Sequence, residues 1–363
     1  MKTVCLFISL FLITTSFAQS KLDSLLPVRG FCIGSPKPNE VDAFVKFINE
    51  ELAPRKVNTL IVRIDYNYQY QSHPELRDSI ALSKADVNKM VVACRRNHIR
   101  LIPQINLLGH QSWANKTEKL LTVYPQFDET PWVMMPANYV WPNEDKLYCK
   151  SYCSLHPDVH KVVFDVVDEL CDAFQTDAFH AGMDEVFYLG EDKCPRCGGR
   201  DKAQLFADEV RTIRDHLATK SRKLWIWGDR LIDGKTTGIG EWEASYNNTY
   251  RAVDLIPKDV MICDWHYERA DKTPVYFAMK GLNVVTCPWR KPDLALVQTN
   301  DMLQFRAQTT PEMKVHFAGM MQTVWSDAGS FLDGFYGRKK DDKSGEDTPW
   351  NCFRKMYNKI DSL

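Results

Sequence analysis

Short apolar runs alternate with amphipathic helical stretches along almost the whole chain, and this alternation constrains the fold more than any other feature. The runs lie at 31–34, 59–65, 99–106, 178–182, 223–228, 260–265, 282–287 and 317–325. Between most of them apolar residues recur at helical spacing, as at 39–52, 84–97, 157–174, 203–220 and 293–308. A strand followed by a helical crossover returns the chain to the same end of a sheet, so repetition builds parallel strands. Eight such units within 363 residues predict an α/β fold, a TIM-type (β/α)8 barrel. The alternative is an open doubly wound sheet, but no Gly-rich phosphate loop follows an early strand to support it.

The N-terminus reads as an address. Lys2 is followed by a mostly apolar run at 4–13 and by Ser16-Phe17-Ala18, the pattern of a secretory signal cut after Ala18. Export to the periplasm or the extracellular space is therefore expected. Cys5 lies inside the apolar run and not just after it, which argues against a lipid anchor. No later stretch is long and apolar enough for a transmembrane segment. Residues 19–363 then read as one barrel domain, with no linker, repeat or low-complexity seam. The 46 basic residues balance 47 acidic ones, so no nucleic acid partner is suggested.

In a barrel of this type the active site is built at the C-terminal ends of the strands. Here those ends carry Asp65, then Asn106 followed by Gly109-His110, then Asp184-Glu185, Trp227-Gly228-Asp229, Asp264-Trp265, Trp289 and Trp325-Ser326-Asp327. Carboxylates and tryptophans recur at nearly every end. Acids can break a glycosidic bond, flat aromatic faces can stack on a sugar ring, and polar groups can hold its hydroxyls. The long irregular stretch from 107 to 155, rich in Trp, Pro, Asn and Tyr, suits a binding loop or lid.

His180-Ala181-Gly182-Met183-Asp184-Glu185 resembles the H-x-G-G-D-E segment of family 20 glycoside hydrolases, the β-N-acetylhexosaminidases. Other segments follow the same order. Arg29-Gly30 is similar to the Arg-Gly of that family's first barrel strand, and 98–110 to its third strand and following Pro-Gly-His. Leu224-Trp225-Ile226-Trp227 resembles the fifth strand, and the stretch from Gly319 to Trp325-Ser326-Asp327 the eighth. The family's usual small α/β domain before the barrel has no counterpart, since Arg29 follows the signal almost directly.

The resemblance implies an exo-acting β-N-acetylhexosaminidase that releases terminal β-linked GlcNAc or GalNAc from a glycan, by a substrate-assisted retaining mechanism. Glu185 would be the acid/base, and Asp184 would orient the 2-acetamido group. His110 and Asp65 would form a polar relay behind Glu185. Arg29 would bind the ring hydroxyls, Trp227, Trp265 and Trp325 would wall the pocket, and Asp327 would reach toward the 4- or 6-hydroxyl. Where the family places a Tyr just beyond the tryptophan of the seventh strand, Trp289 is followed by Arg290-Lys291, which leaves Tyr267 as the substitute. No cofactor for catalysis is implied. Two other readings stay open: a carbohydrate-binding barrel without activity, and a glycosidase for a sugar lacking the acetamido group.

Eleven cysteines are present, ten once Cys5 is removed with the signal. Cys149-x-x-x-Cys153 and Cys194-Pro-Arg-Cys197-Gly198 fall in the loops after the third and fourth strands, which are neighbours in a barrel. Four thiolates there would complete a structural zinc site. Exported thiols also oxidise, so two disulfides are the alternative. Cys94, Cys171, Cys263 and Cys287 sit in helix or strand patterns and are expected to be buried as small apolar residues.

Overall fold

Every apolar run forms a strand. The computed structural model describes residues 21–338 and 346–363, so the expected export signal lies outside the described residues. The barrel strands are β1 (Val28–Gly34), β2 (Thr59–Arg63), β3 (Arg100–Leu107), β4 (Ala178–Gly182), β5 (Lys223–Trp227), β6 (Met261–Asp264), β7 (Asn283–Thr286) and β8 (Phe317–Asp327). All pair in parallel with their sequence neighbours, and β8 pairs with β1 to close the barrel. The predicted bounds differ from these by a few residues at most.

Residue alternation along each strand sorts side chains into two cores. Cys32, Ile61, Ile102, Trp225, Trp227, Cys263, Val285 and Met321 point inward and fill the barrel. Phe31, Ile33, Leu60, Val62, Ile226 and Val284 point outward, into a continuous layer beneath the helices. The main covering helices are α1 (Val41–Phe47), α2 (Lys84–Arg96), α3 (Val159–Phe174), α4 (Lys202–Ala218), α5 (Thr273–Met279), α6 (Pro292–Gln308), α7 (Ala328–Phe335) and α8 (Pro349–Asp361).

Helix α3 shows how the sequence dictates this layer. Val159, Val162, Val163, Val166, Val167, Leu170 and Phe174 recur at helical spacing and are all buried. The helix ends where Gln175 turns left-handed, at φ 51°. Between β5 and β6 no long helix forms; short turns at Gly234–Thr237 and Thr249–Asp254 take its place. Cys94, Cys171, Cys263 and Cys287 are buried, as expected. No described helix is long and apolar enough to cross a membrane.

Candidate active site

The mouth of the barrel holds a cavity of about 600 Å³ at the C-terminal strand ends, and both Asp184 and Glu185 line it. Adjacent residues of a regular strand face opposite ways, so the backbone must break for both to share one cavity. It does so through left-handed residues: Gly182 at φ 66°, Met183 at 65° and Glu185 at 49°. A side chain at Gly182 would place Cβ only 2.2 Å from Asn106 Oδ1, so only glycine fits at this break.

One imidazole organises the pair. His110 Nε2 lies 3.2 Å from Asp184 Oδ2 and 3.0 Å from Glu185 Oε2. Burial opposes a charge on His110, but the adjacent Asp184 and Glu185 outweigh it and hold its proton well above the usual range. The two acids then diverge. Burial alone would raise both, and it raises Glu185, reinforced by the charges of Asp184 and Asp229. For Asp184, burial is overcome by the adjacent charge of His110, which holds its carboxyl below the ordinary value. Glu185 is thus favoured as the protonated partner and Asp184 as the ionised one. Asp184 Oδ1 is buried and has no hydrogen-bond partner among the described residues.

Second-rank contacts fix the acid. Asp229 Oδ2 accepts the Glu185 backbone N–H at 2.9 Å, and its other oxygen accepts the Trp265 indole N–H at 3.3 Å. Arg230 holds Asp229 from behind at 2.6 Å. The Cys149 thiol donates to the Glu185 carbonyl at 3.3 Å. Asp65 accepts the Asn106 backbone N–H at 2.8 Å; it sits near His110 and acts on it through its charge. Burial raises the Asp65 pKa despite that hydrogen bond.

Trp265, Tyr267, Trp289 and Trp325 line the cavity together. Tyr267 packs between Trp265 and Trp289, with ring centroids 5.0 and 5.4 Å away. Its hydroxyl accepts the Trp325 indole N–H at 2.9 Å and lies 3.1 Å from Thr323 Oγ1. Thr323 in turn can give its own proton to the Pro288 carbonyl. With that proton given to Pro288, the Tyr267 hydroxyl donates to Thr323 Oγ1.

Four expected positions are corrected by the structure. Arg29 is the second residue of β1 and lies at the opposite, N-terminal end of the barrel, where it donates to the Lys56 and Leu26 carbonyls and pairs with Asp23. At about 3.3 Å per residue, the remaining strand keeps it well over 10 Å from the mouth. Arg63, the last residue of β2, lines the cavity instead and stacks over Trp325 at 4.8 Å. A side chain on Gly34 would come within 3.2 Å of that guanidinium, so the glycine leaves room for it. Trp227 is fully buried beneath the cavity, against Trp325 and His180. Asp327 caps α7, accepting both the N–H and the hydroxyl of Ser330 at 2.9 Å, and is not among the cavity-lining residues. Cys149 does not join the other three cysteines; Glu129 takes its place beside them.

The strand-end reading also passed over Trp113, Tyr148, Trp242, Glu243 and Glu268, all of which line the cavity. Tyr148 lines the cavity beside Glu185 and packs against Trp113, Trp141 and Trp242. Trp113 and Tyr148 come from the long loop after β3, whose aromatic richness pointed to a role; Trp242, Glu243 and Glu268 come from later loops that carried no such signal.

A family model, "Glycosyl hydrolase family 20, catalytic domain", matches residues 64–330, and the chain belongs to that family. A beta-hexosaminidase of Akkermansia muciniphila is 30% identical over 136 residues, covering 38% of this chain and 26% of that protein. A beta-hexosaminidase of Emericella nidulans is 24% identical over 262 residues, covering 67% of this chain and 40% of its own length. The chain thus spans well under half the length of these relatives. A chitobiase of Flavobacterium johnsoniae shares the fold, with a TM-score of 0.63 at 17% identity over 92% of this chain and 51% of that one.

Proposed function

We propose that the protein is an exo-acting β-N-acetylhexosaminidase that removes terminal β-linked GlcNAc or GalNAc by substrate-assisted retention. The observation carrying this reading is the unequal pair on one imidazole: Glu185 biased toward its acid form, Asp184 ionised with one free oxygen. In the first step the acetamido carbonyl oxygen attacks the anomeric carbon. Glu185 gives its proton to the departing glycosidic oxygen, and Asp184 accepts the acetamido N–H and offsets the growing positive charge. Water then attacks the oxazolinium intermediate, with Glu185 taking its proton back. Tyr267 would turn its hydroxyl proton from Thr323 to the acetamido carbonyl, and Arg63 would hold ring hydroxyls in the role first expected of Arg29.

The remaining acids of the cavity favour this scheme over an enzyme nucleophile. Glu243 is committed to His266 and to the Tyr267 backbone N–H. Glu268 is largely exposed and paired with Lys291. The test is hydrolysis of an aryl β-N-acetylglucosaminide with and without a thiazoline analogue of the intermediate. Turnover blocked by the thiazoline is expected. Sugar binding without turnover would leave a binding barrel, and turnover indifferent to the thiazoline would point to a sugar held without its acetamido group.

The chain is further read as exported, from Lys2, the apolar run and Ala18. The secreted protein should then have an intact mass lacking residues 1–18, and retention of those residues on exported protein would refute the cleavage.

A further inference from the structure

The cluster apart from the active site joins the loops after β3 and β4. Cys153 Sγ lies 3.7 Å from Cys194 Sγ and 3.9 Å from Cys197 Sγ. Cys197 Sγ lies 2.8 and 3.0 Å from the two carboxylate oxygens of Glu129. One ligand atom from each of the four residues falls within 4.8 Å of all the others, and all four residues are buried. A tetrahedral zinc ion with sulfurs at about 2.3 Å requires sulfurs about 3.8 Å apart. The two separations from Cys153 meet that requirement; a zinc-bound carboxylate oxygen would stand roughly 3.5 Å from each sulfur, so Glu129 would draw back from Cys197 on binding.

A further observation points to a cation. Glu129 is fully buried and accepts the Glu191 backbone N–H at 3.1 Å, yet no Lys, Arg or His among the described residues pairs with it. A buried carboxylate pressed against a thiol is costly unless a positive charge or a shared proton compensates it. Pairing leaves the site incomplete: three cysteines are odd in number, and one disulfide would leave a third thiol without a partner sulfur.

We propose that Glu129, Cys153, Cys194 and Cys197 bind one structural zinc ion that clips the two loops together. On binding, the thiol protons leave to solvent and four anionic ligands close the shell, with no open position for water. The clip is independent of the catalytic reading, but it bears on the same loops. Cys153 lies four residues beyond Cys149, whose thiol holds the Glu185 carbonyl, and five beyond Tyr148.

The decisive experiment is metal analysis of protein purified without added metal or chelator, with thiols counted under denaturing, non-reducing conditions. One zinc per chain with reduced cysteines is expected. Exchange for cobalt should give intense sulfur-to-cobalt charge-transfer absorption and the ligand-field bands of a tetrahedral site. Stripping the metal should lower Tm by at least about 5 °C. Cys149→Ser should keep the metal and the cobalt bands, while Cys194→Ser and Glu129→Gln should lose or alter them. The unmodified protein's zinc content and cobalt spectrum carry the test even where a variant fails to fold. A disulfide among Cys153, Cys194 and Cys197 in a non-reduced peptide map would overturn the proposal. So would reduced, metal-free protein that takes up no cobalt. Loss of metal from Cys149→Ser would overturn the ligand set.

Discussion

Replacing Glu185 by glutamine should cut kcat/KM on sugar-linked β-N-acetylhexosaminides by on the order of 10²–10⁴, and on an aryl glycoside with a good leaving group by less than roughly 10-fold. The contrast follows from what the proton does. A sugar alkoxide cannot depart unprotonated, whereas a nitrophenolate can. Because kcat/KM covers only the steps up to the first irreversible one, the later loss of base assistance does not blur the comparison. The same variant should change the pH profile. Glu185 acts as the acid only while protonated, and burial lifts its pKa above the ordinary value, so activity is present below that pKa and lost as pH rises through it. Asp184 must be ionised, and His110 holds it below its ordinary value, so the acid limb appears only as pH falls through that lowered pKa. In Glu185→Gln the basic limb should vanish and the acid limb remain. Equal losses on both substrates would remove Glu185 from the acid role, as would a surviving basic limb.

Replacing Asp184 by asparagine should behave differently. Here the loss, on the order of 10²–10³, should be similar for good and poor leaving groups, because Asp184 serves the attacking acetamido group and not the departing oxygen. Thiazoline affinity should fall in parallel, since the same carboxylate faces the bound analogue. The pH profile supplies a second readout. The acid limb assigned to Asp184 should be lost in this variant, while the basic limb assigned to Glu185 persists. A loss confined to poor leaving groups, with thiazoline binding unchanged, would contradict the assignment of Asp184 to the acetamido group.

The barrel was legible because it rests on a repeated pattern: each of the eight apolar runs is a strand, and most crossovers show helical periodicity that is purely local. Asp184-Glu185 was legible because a strand end, a glycine and two acids are contiguous. The errors share a different origin. Arg29 and Arg63 are both strand residues, and what separates them is which end of a strand each occupies; β1 begins at Val28, so Arg29 belongs to the base. Asp327 could have been read correctly, since an aspartate three residues before Ser330 and just ahead of an apolar stretch is a helix cap signal. Glu129 could not. It reaches the three cysteines only because the long loop after β3 folds back on itself, with the Glu129 N–H bonded to the Ser151 carbonyl and the Cys153 N–H to that of Phe127. No local spacing records that path. Tyr148 and Trp242 were hidden for the same reason.

Asp229 grips the acid's backbone with one oxygen and the indole of Trp265 with the other. A single side chain therefore sets both the reach of the proposed proton donor and the shape of the cavity wall formed by Trp265. Changes to either cannot be independent. An engineered pocket that moves Trp265 to admit a bulkier substituent would tug on Glu185 through the shared carboxylate, so selectivity and rate should be epistatic at this site. Evolution along this barrel would face the same coupling: new sugar preferences would arise more readily from Tyr148, Trp242 and the outer loops than from the residues that Asp229 ties together.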